Sequence, residues 1–331
     1  MFKMELKNKK VAISGSSGFL GRRIVDKLDK RGVDVIVPRR KDYDFTSKED
    51  AERFFQENSL DAFIHSAALY GGLGINERIP AEVFDYNMRM MINIFSAAID
   101  WKKGTPIIEK MVAIGSACGY PSEIGVNMKE ELMWNGPVDK SVRNYGIIKR
   151  LMETSGHVYR DQFGLNSINL QLATLFGEND TFNPDRSHVP AALIRKFVEA
   201  KQNGDSSIEL WGVPNTIREF MYVGDCAEGI VRALENFEGV PGIEDQSKYT
   251  LNIGTGEGMT IDNLAKTIGN IVGFDGEFEY SGGSPGQKAK ALVVDRMREV
   301  LNWYPETSLE NGLKKTIKWY IANKEEANKR F

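Results

Sequence analysis

Three observations predict the fold class. Short apolar, β-branched runs alternate with longer amphipathic stretches through the first half of the chain, the first run ends in a glycine-rich turn, and that turn leads straight into a helical pattern. Together they predict an α/β architecture, a doubly wound parallel sheet with helices on both faces and a smaller α/β region behind it. Strands are expected at 11–14, 34–37, 61–65, 111–115 and 167–173. Helices are expected between them at 19–30, 47–58, 81–100 and 144–162. The stretch 83–99 is apolar nearly all round (Phe84, Met88, Met90, Met91, Ile92, Phe95), which predicts burial on more than one side, by a partner subunit or by another helix.

After Thr174 the rhythm changes. Residues 179–187 form a polar stretch containing Pro184, followed by a helix over 189–203. Short strands are expected at 208–211, 220–223 and 249–253, and helices at 261–272, 296–302 and 309–323, entered from Thr260, Asp295 and Ser308 as N-caps. The expected organisation is a dinucleotide-binding region, 1–174, to which 219–256 partly returns. A substrate-binding region is expected from 175–218 and 257–331.

The chain has 331 residues, with 43 Lys+Arg against 46 Asp+Glu and a net charge of −3. That balance argues against nucleic acid or an anionic membrane as the main partner. Two cysteines and three histidines argue against a disulfide-rich scaffold, a four-cysteine zinc site and a histidine-rich metal centre. The only early apolar run, 11–13, is too short for a signal core or a membrane span, so a cytoplasmic protein is expected.

The turn after the first strand reads Ser14-Gly15-Ser16-Ser17-Gly18-Phe19-Leu20-Gly21. Glycines at 15, 18 and 21 permit a tight turn, close approach of backbone to a pyrophosphate and close helix–strand packing; this is a Rossmann-like dinucleotide site. The helix start at Phe19 and Leu20 offers free N–H groups to phosphate. Where an NAD site places an acid on the ribose, this chain carries Arg39 and Arg40. Arginine suits a 2′-phosphate and so favours NADP, while Asp42 and Asp44 nearby keep NAD open. Tyr145 and Lys149 stand i,i+4 on one helical face, where an ammonium is expected to lower the phenol's pKa for proton transfer beside a nicotinamide. A second Tyr-x-x-x-Lys, Tyr320…Lys324, lacks any comparable context. Upstream of Tyr145, Gly115-Ser116-Ala117-Cys118-Gly119-Tyr120-Pro121 puts a serine at a strand's C-terminal edge, where ligands of open α/β sheets gather.

With His65-Ser66-Ala67-Ala68, these residues resemble the extended short-chain dehydrogenase/reductases over nearly the whole chain. The resemblance implies Ser116, Tyr145 and Lys149 as the catalytic triad, Ala67 and Ala68 beside the cofactor, and a nucleotide-diphosphate sugar as substrate. Within that family the pattern is most similar to the GDP-L-fucose synthase group of NADPH-dependent epimerase-reductases. The matching segments are Gly71-Gly72, Asn87…Asn93, Ser116-x-Cys118-x-Tyr120-Pro121, Ser187-His188-Val189, Trp211-Gly212 and Arg218-Glu219-Phe220…Val223-x-Asp225. The likeness implies that Cys118 and His188 move protons beside a 4-keto group, and both side chains titrate near enough to neutral for it. Each has a plainer alternative, an inert buried thiol for Cys118 and a helix cap for His188. Cys226 is read as inert.

Arg218 is the candidate for the substrate diphosphate, Lys196 stands where the group carries an arginine, and Trp211 is placed near the base or the pocket wall. Three departures bear on base and sugar: Thr174-Leu175-Phe176-Gly177-Glu178 replaces an Asn-Leu-Tyr-Gly-Pro segment, Leu69 replaces a lysine, and residues 282–290 differ from the group's Lys-Pro-Asp-Gly-Thr-Pro-Arg-Lys. The expected activity is NADPH-dependent epimerisation and reduction of a 4-keto-6-deoxy-hexose nucleotide by a homodimer. The alternatives are a simple 4-epimerase or 4-reductase, and a non-catalytic dinucleotide sensor.

Overall fold

Residues 3–282 and 286–330 are described by the computed structural model, so 283–285 of the divergent 282–290 stretch lie outside the described residues. The first half runs β1 (Lys10–Ser14), α1 (Phe19–Asp29), β2 (Asp34–Ile36), α2 (Lys48–Glu57), β3 (Ala62–His65), α3 (Leu73–Arg78) and α4 (Pro80–Ala97). A small hairpin of β4 (Ile99–Asp100) and β5 (Thr105–Pro106) leads to β6 (Lys110–Ile114), α5 (Arg143–Phe163) and β7 (Ser167–Leu172). The second half contributes β8 (Thr174–Phe176), α6 (Val189–Asn203), β9 (Ser207–Leu210), β10 (Ile217–Tyr222), α7 (Val223–Asn236), β11 (Thr250–Ile253) and β12 (Gly258–Thr260). It ends with α8 (Ile261–Val272), β13 (Glu277–Tyr280), β14 (Ala289–Lys290), α9 (Asp295–Leu301), α10 (Leu309–Ala322) and α11 (Lys324–Lys329).

Six parallel strands form the main sheet in the order β11-β7-β6-β3-β1-β2. The chain steps outward from β1 to β2, then returns past β1 to β3. The C-terminal ends of β1 and β3 therefore flank the point where strand order reverses, the usual crevice of such sheets. The inner strands are covered on both faces, and even β7, where Ser167, Asn169 and Gln171 alternate with apolar residues, is buried throughout. One face packs under α1 and α7 through Ile24, Leu28, Ile230 and Leu234; the other packs under α2, α4 and α5 through Phe54, Met91, Ile94, Ile148 and Met152. A separate core gathers α6, α8 and α10 around Phe182, Phe197, Leu264 and Tyr320.

Thr260 and Ser308 cap α8 and α10, accepting from Asn263 N and Asn311 N at 3.2 and 3.3 Å. Asp295 is no cap: Val294 holds that place, and Asp295 sits in the first turn, where its charge suits the helix end. Residues 83–99 are buried on more than one side, against the main sheet and against neighbouring helices. α4 packs on α2 and α5, while Phe84 and Ile92 on its outer face are 39% and 51% exposed. Helix α7 and the short α3 and α11 were not expected from the sequence. The polar stretch 179–187 hides a core residue, Phe182, whose ring stacks on Tyr320 at 4.3 Å. With its hydroxyl 3.1 Å from Asn328, Tyr320 of the second Tyr-x-x-x-Lys is a packing residue. Among the described residues, no helix is long and apolar enough to cross a membrane.

Candidate active site

The crevice starts at the end of β1. Gly15 has φ +74°, and a Cβ built there would lie 2.9 Å from Ala67 Cα; one built at Gly21 would lie 2.1 Å from Gly15 O. The turn therefore closes tightly against the segment after β3, as a dinucleotide cradle requires. Ser14 fastens the two strand ends together. Its Oγ accepts from Ser66 N and Ala67 N, both at 3.1 Å, and stands 2.9 Å from His65 Nδ1. Burial and the Lys149 charge bring His65 down to about 3, so it is neutral and serves as a structural acceptor. Gly18 is the N-cap of α1 with no side-chain partner and no acid in the first turn, which leaves Ser17, Phe19 and Leu20 around an N-terminus free to meet phosphate.

Arg39 and Arg40 follow β2 and are exposed; Arg40 pairs with Asp44 at 3.3 Å and lies over the Tyr86 ring at 5.0 Å. These residues fit an adenine dinucleotide with a 2′-phosphate. Ala68 lies in the same strand-end loop as Ala67, and Asn87 of α4 fixes the next residue, accepting from Leu69 N and donating to Leu69 O, both at 2.9 Å.

Ser116 leaves the end of β6. Gln171 of β7 accepts from Ser116 N at 2.7 Å, and Ser116 Oγ accepts from Cys118 N at 3.2 Å, shaping a single helical turn over 117–119. A Cβ at Gly146 would sit 2.3 Å from Cys118 O, so this glycine lets α5 lie against that turn with Tyr145 and Lys149 beside it. Lys149 Nζ donates to Ile114 O at 2.6 Å and lies 5.2 Å from the Tyr145 ring centre. The expectation that Lys149 lowers the Tyr145 pKa is not met. Burial, with the Cys118 charge, pushes the phenol well up, and burial brings the ammonium down to about 8.

Tyr70, which sequence reasoning passed over, joins the rest. Its ring stacks on Tyr145 at 4.0 Å, lies 5.2 Å from His188 and packs against the apolar cluster that contains Cys118. His188 holds the N-cap position of α6 but makes no side-chain cap bond; burial, with help from the Lys290 charge, brings it down to about 4. Lys290, also unforeseen, donates to Cys118 Sγ at 3.2 Å. Burial pushes the Cys118 thiol up, yet Lys290 and hydrogen bonds from Ser116 and Tyr70 bring it below the ordinary value. Arg218 of β10 feels both Cys118 and Tyr70 and donates to Ile217 O at 2.7 Å.

Contacts thus bring Ser116, Cys118, Tyr145, Lys149, His188 and Arg218 together. Lys196 and Trp211 form a second group: Lys196 Nζ donates to Glu209 O at 2.6 Å, two residues before Trp211, which is 60% exposed. Lys196 follows His188 by eight residues of α6, about 12 Å along its axis. Glu178 of the divergent Thr174–Glu178 segment pairs with Arg23 at 3.3 Å and accepts from Tyr222 at 2.8 Å. Cys226 is buried and its thiol pushed up by burial, consistent with an inert role.

The profile of the family described as "NAD dependent epimerase/dehydratase family" matches residues 11–254. The chain is 30% identical to GDP-L-fucose synthase 1 of Arabidopsis thaliana over 97% of its own length and 95% of that protein's. It is also 30% identical to GDP-L-fucose synthase of Escherichia coli K12, over 97% and 99% respectively. The solved GDP-mannoheptose C4 reductase of Campylobacter jejuni, with NADP bound, is similar at TM-score 0.84 and 26% identity, covering 95% of this chain and 98% of that one.

Proposed function

Because the chain belongs to the NAD dependent epimerase/dehydratase family, we propose that it is an NADPH-dependent epimerase-reductase of a GDP-linked 4-keto-6-deoxy-hexose. One observation carries this reading. Tyr145 of the redox triad and the second pair of proton carriers, Cys118 and His188, converge on one aromatic ring, that of Tyr70. A simple 4-reductase needs only the triad. Two further titratable groups beside it suit a substrate whose ring carbons are acidified by a carbonyl.

Gly15, Ser17, Gly18, Gly21, Ala67 and Ala68 would hold the cofactor, with Arg39 and Arg40 on the 2′-phosphate; when bound, it supplies the hydride for carbon 4. Tyr145 donates the proton to the carbon 4 oxygen, Ser116 hydrogen-bonds that oxygen, and Lys149 supplies positive charge beside the phenol. Cys118 and His188 exchange protons at carbons 3 and 5. Arg218 binds the diphosphate, and Lys196 and Trp211 receive the nucleotide end about two helical turns away. The relatives named for GDP-sugars support guanine as the base. The division into nucleotide-binding and substrate-binding regions belongs to the same proposal, as does a homodimer joined across α4 and α5. Two unpaired cysteines suit a reducing cytoplasm.

The test is isotopic. In deuterated buffer with a GDP-4-keto-6-deoxy sugar and oxidised cofactor, deuterium should enter the sugar ring without net redox turnover, and Cys118→Ser should abolish it. An unlabelled sugar from the wild-type protein would remove the epimerase half of the proposal.

A further inference from the structure

Three separate elements converge on one sulfur. Cys118 lies in the turn after β6, Tyr70 in the loop after β3, and Lys290 on β14, in register with Arg218 of β10. Lys290 Nζ is 3.2 Å from Cys118 Sγ, and no carboxylate pairs with that ammonium among the described residues. The groups around the thiol are strongly one-sided in charge. Lys149 and Tyr145 act on it from α5, Arg218 from β10, Lys290 from β14, and Tyr70 and Ser116 from loops, while the neutral His188 at the start of α6 lies against the Tyr70 ring. Asp139 acts on Arg218.

We propose that Lys290 and Tyr70 are positioning residues that hold Cys118 as a thiolate, the ammonium by charge and the phenol by donating a hydrogen bond. A buried thiol without partners stays protonated and inert, as Cys226 does. Here three cations and two hydroxyl donors offset the cost of burying the anion. Cys118 would then be a base before substrate arrives, needing no neighbour to take its proton. Tyr70 would also fix where that base stands, because its ring is held against Tyr145 and packs on the cluster that contains Cys118. The reading of Cys118 as a proton carrier enters only the second of the two measurements below.

The first measurement titrates thiolate absorbance near 240 nm in the folded, substrate-free protein, taking wild type minus Cys118→Ser. The midpoint should fall below the usual value of about 8.5. Lys290→Met should raise it by about one pH unit or more, Lys290→Gln similarly although it keeps a donor, and Tyr70→Phe by less; Lys290→Arg should retain most of the depression. A wild-type midpoint in the ordinary range, or folded Met and Gln variants that titrate like wild type, would overturn the proposal. The second follows deuterium wash-in against pH. Removing the Lys290 charge should move the acid limb upward, whereas a merely structural role would lower the plateau and leave the limb in place. Absence of wash-in alongside a low thiol midpoint would strike the epimerase reading and leave the thiolate standing.

Discussion

Cys118 and Cys226 are both buried thiols, and the difference between them lies in their neighbours. Cys226 sits in the apolar layer between α7 and the main sheet, where nothing stabilises an anion. Cys118 meets Lys290, Tyr70 and Ser116. Sequence spacing exposed Ser116, Cys118 and Tyr145 because they share a turn and the helix packed on it. It could not expose Lys290, which is 172 positions from Cys118 and reaches it through a two-residue strand. Tyr70 was equally hidden: a lone aromatic beside two glycines carries no periodicity, and its meaning comes from the Tyr145 ring it stacks on. At Arg39 and Arg40 sequence logic makes a sharper statement. Both are exposed, and Arg40 has a surface i,i+4 pair with Asp44 and the Tyr86 ring beneath it, so little structural work depends on them. Replacing both with alanine should raise the KM for NADPH roughly tenfold, the worth of one charge-assisted contact, with melting temperature and KM for NADH nearly unchanged. Equal losses with both cofactors in steady-state kinetics would remove the 2′-phosphate assignment.

At the level of elements, α6 and α8 have the bounds their patterns predict, because the apolar period is clear and each ends at a glycine with positive φ, Gly204 and Gly273. Helix α7 escaped notice for a physical reason. Gly224 and Gly229 dilute its pattern, and Gly229 is there for contact, since a Cβ would lie 2.8 Å from Trp303 Cζ3. On α4 the apolar pattern runs nearly all round, and the sheet with α2 and α5 covers only part of it. Phe84 and Ile92, with Val158 on α5 at 50% exposure, leave an apolar face on the neighbouring pair of helices. Surface of this kind on a well-packed helix pair suits a second copy. Ile92→Glu with Val158→Glu should therefore convert a dimer into a folded monomer by light scattering, with cooperative melting retained. A wild type that is monomeric at micromolar concentration would end the homodimer reading.

For the molecule as a whole, the buried acids set the pH range in which the fold is strongest. Glu228 of α7 pairs with Lys27 of α1 at 3.2 Å and with Arg31 just beyond that helix at 2.7 Å; burial alone would raise it, but these cations bring it down to about 2. Its contribution is present above the unfolded carboxyl range and lost as pH falls through about 2. Glu130 and Asp180 behave oppositely, since burial pushes each up to about 7. Glu130 accepts from Asn252 N at 2.9 Å beside the main sheet, while Asp180 lies in the 179–187 stretch of the second half, one carboxylate oxygen buried without a partner. Folding binds these protons more tightly than the unfolded chain does. The stability they bring is complete below the unfolded carboxyl range near pH 4 and disappears as pH rises through about 7. Stability should therefore fall between about pH 4.5 and 7, by at most on the order of 3 kcal/mol for each group. Because one acid lies on each side of the molecule, neither half alone should account for the slope. Asp180→Asn and Glu130→Gln should each flatten it in urea unfolding followed from pH 5 to 8, and the double variant should be the more stable protein at pH 8. A double variant that keeps the wild-type slope would place the responsible protons elsewhere.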